Sequence, residues 1–465
     1  MSRAPRLVAV LALVLAAPAP AALKVVSPRQ DARILGTTLP IQVTGVGAPP
    51  RCTLDGVDVS PAWVQLPRSE HWYAELPVTP GRHELRLRRG LRRARIEFEA
   101  GAQDALALGD RVAARFLDRH GPDELKWQWN PAVFLYGLAR LAEHSPARAR
   151  YVQFLAAYHA HHAAEGLPTI DYPDVCPPAL SAVWLAREAN DRSALPNADV
   201  VADFLRNEPR NALGAIDHLG SDSRVRRLAR TARILRFVGL GWISEWVHSI
   251  WVDSLVMYAL TSVHYGQLVN DSNLVEFGLA QPGIFARVLQ DPQTGLFGHA
   301  WDTQNQRRQG GVWLRGNGWV ATSLVDMLEA IGPSHPRHAE LLAILRPLAQ
   351  GLLATQDAAG QWPTLLDDAD SYQETSGSAL AAYALARAAH RGYLGPQALE
   401  AAKRTFKNLA ARLEARRVGA TLPGTSIATS AWPRALYRLV PKQDDVDYGV
   451  GAFLLLADEL RGEAW

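Results

Sequence analysis

From about Ala102 to the C-terminus the chain repeats apolar residues every three to four positions, in runs separated by short polar or Pro/Gly-containing links. The runs fall near 103–119, 130–144, 147–163, 178–190, 196–207, 249–268, 272–289, 316–332, 338–356, 377–391, 396–415 and 447–461. Twelve helices of similar length on short links make six antiparallel hairpins. Six hairpins can close into a double ring, an (α/α)6 barrel, because each inner helix then buries its stripe against an outer one; an open helical solenoid satisfies the same pattern. An arginine-rich run near 223–238 stands outside this count as an insertion.

The residues before the switch read differently. LKVVSP, LPIQVTG, RCTLDGVDV, HWYAELPV, HELRLRR and ARIEFEA alternate apolar with polar at period two, with turn pieces such as GAPP and TPGR between them. Six or seven short strands in so few residues predict a small all-β, immunoglobulin-like sandwich, a packing or spacer module that carries no cluster of acids or histidines. Ahead of it, Arg3 and Arg6 precede the apolar run LVAVLALVLAA and the small residues APAPAA. This is the pattern of an export signal cleaved after Ala21 or Ala22, with an apolar run too short for a stable membrane anchor. The expected organisation is a signal peptide over 1–22, the sandwich over 23–100 and the barrel over 101–465. The mature protein is expected in the periplasm or outside the cell, with no membrane attachment once the signal is removed. Cys52 and Cys176 are the only cysteines; export permits a disulfide, but pairing depends on a distance that sequence does not supply.

Residues with chemistry in them cluster at the start of every second helix. The clusters are Trp127, Trp129 and Asn130; Asp171 and Asp174; Trp251 and Asp253; Trp313 and Arg315; Tyr372 and Glu374; Asp445 and Asp447. In a closed ring of hairpins alternate helices point the same way, so the six clusters would meet at one mouth. Helix capping accounts for several of the acids but not for the tryptophans, whose flat faces suit sugar rings. The stretch GGVWLRGNGWV over 310–320 is the densest of these. Glycines at 316 and 318 would let backbone approach a ligand, Arg315 offers a planar fork for a carboxylate, and Trp313, Asn317 and Trp319 flank it.

Composition narrows the partners. Lysine plus arginine number 49 against 46 acids, a net charge of +3, so no nucleic-acid function is read from it. The basic clusters LRLRRGLRRAR and SRVRRLARTARILR read as solvated faces, with attraction to a polyanionic glycan as the alternative. No Cys/His spacing resembles a zinc site, and His159, His161 and His162 read as a helix surface. No metal, organic cofactor or protein partner is expected.

W-x-R-G-N-G-W opening a helix resembles the signature of glycoside hydrolase family 105 and the related family 88, the unsaturated rhamnogalacturonyl and glucuronyl hydrolases. SIWVDSLVMYAL around Asp253, TGLFGHAWD around His299 and DSYQETSGSALAAYAL around Glu374 match in the same order, over roughly Gly121 to Leu460. The resemblance favours the closed barrel over the solenoid. It implies a substrate released by polysaccharide lyases, an acidic oligosaccharide with a C4=C5 double bond in its terminal uronate. A carboxylic acid protonates C4, water adds at C5, and the hemiketal opens and expels the next sugar. It marks Asp253 as general acid and base, Asp174 as the second carboxylate with Asp171 as its alternative, and Arg315 as the clamp for the uronate carboxylate. It also marks His299 and, more loosely, His218 as site histidines, with Trp313, Trp319, Asn317 and Glu374 around the sugar; Trp129, from the first of the clusters above, is expected to join them. To donate a proton near neutrality Asp253 needs a raised pKa, which a nearby like charge would supply to one member of the pair. The chain departs from the pattern in its N-terminal sandwich, in the arginine-rich insertion, which could lid the pocket, and in leucine at 314 where glycine is common. Two further readings stand beside this one: a conventional hydrolase using Asp253 and Glu374 across a saturated glycosidic bond, and a glycan-binding barrel without chemistry.

Overall fold

The computed structural model describes residues 23–59, 61–67, 70–101, 104–231 and 241–465. The expected signal peptide and the second half of the arginine-rich run fall outside the described residues.

The N-terminal strands form two sheets, in the orders β1-β3-β7-β6 and β2-β9-β8-β4-β5. The strands are β1 (Lys24–Ser27), β2 (Ala32–Leu35), β3 (Thr38–Thr44), β4 (Arg51–Leu54), β5 (Val57–Val59), β6 (Val64–Gln65), β7 (His71–Pro77), β8 (Gly81–Arg89) and β9 (Arg92–Gly101). Alternation does what it should: Leu39, Ile41 and Val43 of one sheet and Leu85, Leu87 and Phe98 of the other share one apolar core. The sequence pattern missed β2, which is four residues long and pairs parallel to β9. Cys52 belongs to this core and Cys176 to the helical one; both are buried and free, so they form no disulfide.

All twelve predicted helices occur among the described residues, most with ends within two residues of those expected. Six form an inner ring: α2 (Trp129–Ala142), α4 (Pro178–Glu188), a π-helical turn (Leu255–Leu260) running into α7 (Thr261–Val269), α9 (Leu314–Ile331), α11 (Thr375–His390) and α13 (Asp447–Glu459). Each touches the next, and α13 closes on α2. The outer helices are α1 (Ala105–Arg119), α3 (Arg148–Glu165), α5 (Leu195–Asn207), α8 (Ser272–Leu289), α10 (His338–Thr355) and α12 (Pro396–Arg412). Sequence separates the two classes. In α11 every residue from Thr375 to Ala388 is buried, whereas α12 buries Ala398, Ala401, Ala402, Thr405 and Phe406 at the one-sided spacing of a helix with solvent behind it, until its last turn, Asn408 to Arg412, which is wholly buried.

Closure depends on two glycines. A Cβ on Gly137 of α2 would meet the Gly451 carbonyl oxygen at 2.3 Å, and one on Gly451 of α13 would meet the Val133 carbonyl oxygen at 2.2 Å. The β-sheets rest on the outer ring at α12, where the Arg29 N–H donates to the Ala411 carbonyl over 2.9 Å.

The insertion before Asp253 contains α6 (Arg224–Thr231) and a 3-10 segment (Gly241–His248). The run predicted as a helix from 249 begins instead as a strand. Residues Ser249–Trp251 (β10) pair antiparallel with Ala300–Asp302 (β11), which pairs with Arg307–Gln309 (β12). Strands of three residues are too short to show a period, so this sheet is not visible in the sequence.

Candidate active site

The N-terminal ends of the inner helices meet: Trp127 bonds Val175, Asp174 faces the charge of Asp253, Arg315 lies beside Glu374, and Tyr448 packs on Trp129. The small β10–β11–β12 sheet then fixes the chemistry. Trp251 pairs with Ala300, and one step on the Val252 N–H donates to the His299 carbonyl at 3.0 Å. Asp253 and His299 are thereby set side by side, with His299 Nε2 3.2 Å from Asp253 Oδ2. The π-helical turn that follows Asp253 is a local widening of the helix of the kind that recurs at functional sites.

His299 is fully buried. Its Nδ1 lies 2.5 Å from the Tyr437 hydroxyl. With that hydroxyl donating to Nδ1, Nε2–H is left to donate to Asp253. The ring stacks on Trp313 at 4.5 Å. Gly310 is needed here: its φ is +77°, and a Cβ would meet the Tyr437 hydroxyl at 2.5 Å and the His299 Cβ at 2.9 Å.

Asp174 stands on the other side. It sits in a 3-10 turn (Pro173–Val175) pinned by the Trp127 indole N–H, which donates to the Val175 carbonyl at 2.9 Å. His218 Nε2 lies 3.5 Å from Asp174 Oδ1, its Nδ1 contacts the Ser254 hydroxyl at 3.1 Å, and its ring stacks on Trp251 at 4.1 Å. Asp174, rather than Asp171, is thus the acid that faces the site. Trp246 of the insertion meets Trp251 edge-on at 5.3 Å, so the insertion borders this wall.

The two acids differ in ionisation. Burial pushes Asp174 well above the ordinary carboxylate range, and the charge of Asp253 adds to the effect. Burial acts on Asp253 in the same direction, but the hydrogen bond from His299 and the two imidazoles His299 and His218 outweigh it and hold its carboxyl below the ordinary value. His218 is driven down to about 4 by burial, against the pull of Asp253. The expectation of a raised pKa at Asp253 is therefore reversed: the like charge raises one of the pair, and that one is Asp174.

Five of the expected substrate contacts, Arg315, Glu374, Asn317, Trp319 and Trp313, are internal. Arg315 is fully buried, and its two terminal nitrogens donate to the Ser376 hydroxyl (3.1 Å), the Ser426 hydroxyl (2.8 Å), the Ile427 carbonyl (3.2 Å) and the Thr429 hydroxyl (3.2 Å). Glu374 lies 3.6 Å away, and the guanidinium covers Trp313 at 4.6 Å. The fork is a brace beneath Trp313, not an open clamp. Glu374 caps α11, accepting the N–H groups of Ser376 and Gly377, and also takes the Ser426 N–H at 2.9 Å. Asn317 spends its amide on the backbone of Phe297 and Trp313. Trp319 is core, meeting Trp129 edge-on. Gly316 and Gly318 lie inside α9, where a Cβ would strike Val252 and Leu380 at 2.8 Å, so they serve packing rather than ligand approach. Trp129 is half-buried at the mouth against Tyr448, and Trp313 is buried under His299. Tyr437 was not foreseen; it lies 138 positions from His299 in a segment with no motif.

A ring of paired helices whose mouth holds two acids shifted in opposite directions, Asp174 up and Asp253 down, ringed by indoles, belongs to the glycoside-hydrolysing barrels. The family model for Glycosyl Hydrolase Family 88 matches residues 109–461, and the chain belongs to that family. The unsaturated rhamnogalacturonyl hydrolase YesR of Bacillus subtilis is 29% identical over 357 residues, covering 75% of this chain and 94% of that protein. Among solved structures, a possible member of family GH105 from Salmonella enterica superposes with a TM-score of 0.65 at 23% identity, covering 76% of this chain and 93% of that one. The unsaturated glucuronyl hydrolase of Bacillus sp. GL1 superposes with a TM-score of 0.59 at 19% identity, covering 78% and 97%. These likenesses establish the α/α barrel fold.

Proposed function

We propose that the protein hydrolyses unsaturated uronic-acid oligosaccharides released by polysaccharide lyases, by hydrating the C4=C5 double bond at the non-reducing end. The observation that carries this reading is the pair of carboxyls, Asp174 pushed up and Asp253 held down, with His218 3.5 Å from Asp174 and His299 3.2 Å from Asp253. Hydration needs one proton delivered to C4 and one removed from the water that adds at C5. The pair holds one proton and one vacant carboxylate, so it can supply both without net change. Asp174 stores the proton. Asp253 accepts one from water, oriented by the Tyr437–His299 relay, and the hemiketal then opens and releases the adjoining sugar. No organic cofactor or metal enters this sequence. Arg315 acts as a positioning residue through Trp313, and Trp129 is the sugar platform at the rim.

The same reading extends outward. Twelve helices closing on themselves support assignment to the (α/α)6 class over 101–465. The two facing sheets over 23–100 support an immunoglobulin-like module. An export signal over 1–22 implies a periplasmic or secreted enzyme, and Trp246 against Trp251 supports a lid role for the insertion. The test is to incubate the purified protein with unsaturated disaccharides and follow the enol-ether absorbance. Loss of absorbance by wild-type protein, abolished in Asp253→Asn, is the expected result; cleavage of a saturated glycoside instead would establish the conventional hydrolase. Unaltered absorbance and no cleavage, with retained glycan binding, would establish the non-catalytic barrel.

A further inference from the structure

The hairpin joining β8 to β9 sets arginines opposite one another. In the ladder Arg86 faces Arg95, Arg88 faces Arg93 and Arg89 faces Arg92, while on the far side of β8 Arg51 of β4 faces Arg88. Leu85, Leu87, Ile96 and Phe98 point into the core, so Arg51, Arg86, Arg88, Arg93 and Arg95 stand together on the outer face, all exposed. Like charges directly opposite in a sheet destabilise it. Glu84 offsets part of this by pairing with both Arg86 and Arg95, and Glu97 pairs with Arg95 at 2.9 Å. Among the described residues Arg51, Arg88 and Arg93 make no ion pair; Arg88 gives only its Nε to the Gly90 carbonyl at 3.3 Å. Guarding a sheet edge accounts at most for Arg93, where β9 runs beyond its pairing with β2, and not for Arg88, which has Arg51 and Arg93 on either side.

We propose that this outer face is a binding surface for an anionic polysaccharide, with Arg51, Arg88 and Arg93 taking successive carboxylates of a uronate polymer. Guanidinium forks match carboxylates with two hydrogen bonds each, and neighbouring strands root the three side chains about 5 Å apart in one row. The patch is local on a chain whose net charge is only +3. The outward positions of these strands carry no aromatic side chain on which a base could stack, which argues against single-stranded nucleic acid. A lone exposed leucine at the tip, Leu91, is too little apolar surface for a membrane anchor. The choice of a polyuronate rests on the proposed function. The surface would hold the enzyme on the polymer whose fragments the mouth consumes.

The test uses the full chain, wild type against the triple variant Arg51→Gln, Arg88→Gln, Arg93→Gln, with retention measured on immobilised polygalacturonate, neutral dextran, phosphatidylglycerol vesicles and single-stranded DNA. Wild-type protein should be retained on polygalacturonate and released by salt, and the triple variant should bind about tenfold more weakly, since each exposed charge contact contributes a factor of a few. The variant's kcat and KM on an unsaturated disaccharide should stay within about twofold of wild type, as the row lies outside the ring's mouth. Equal retention of variant and wild type overturns the proposal, as does wild-type binding to vesicles or DNA as tight as to polygalacturonate. If neither protein turns over the disaccharide while retention still depends on the three arginines, the catalytic reading fails and the binding surface stands.

Discussion

Replacing His299 with leucine, which roughly fills the same space, removes the donor that holds Asp253 ionised. The bond is 3.2 Å long between buried groups. A hydrogen bond to a charged group contributes about 1.5–3 kcal/mol, and one pKa unit corresponds to about 1.4 kcal/mol, so the Asp253 pKa should rise by about one to two units. The sign follows from the depressed pKa in the folded protein. The carboxylate persists above that pKa and is lost as pH falls through it, so a higher pKa means loss at a higher pH. The acid limb of kcat/KM for an unsaturated disaccharide should therefore move upward by the same one to two units. Tyr437→Phe should move it the same way by less, because it loosens the ring without removing it. An acid limb that stays in place while the rate falls would refute the reasoning, and would make His299 a substrate ligand instead.

Asp174→Asn should cost at least about a hundredfold in kcat. It should also remove the alkaline limb from the residual activity, since the raised Asp174 pKa means that its protonated form is lost only as pH rises well past the usual carboxylate range. Arg315→Ala leaves Glu374 buried without its cation and should lower stability by about 3–5 kcal/mol in denaturant unfolding. Were Arg315 an open clamp, KM would rise with stability unchanged. Gly310→Ala should lower kcat and stability together, by pressing a methyl against Tyr437 and His299 in a left-handed backbone. Gly137→Ala should instead lower stability with the acid limb unmoved, because it wedges the ring apart on the α2–α13 seam.

Helices were legible because a twelve-fold repeat of amphipathic and wholly apolar runs leaves few packings, and the common direction of alternate helices placed the six clusters at one end. The pairing of Asp253 with Asp174, and the presence of His218 and His299 beside them, followed from ordered motifs. What sequence did not disclose was the depth of each side chain. Arg315, Asn317 and Glu374 have the composition of a sugar site and the environment of a core, because their polar groups are satisfied by backbone of the 424–429 loop and of Phe297. Spacing along the chain carries no record of that loop. Nor does it record β10–β12, whose three-residue strands set the contact of Asp253 with His299 and so decide which acid keeps the proton.

The most direct test is the reaction run in deuterium oxide with the products examined by NMR. Hydration driven by the carboxyl pair predicts loss of the alkene signal and one deuterium at C4, both abolished in Asp253→Asn. Release of the second sugar with the C4=C5 bond intact and no deuterium at C4 would contradict it.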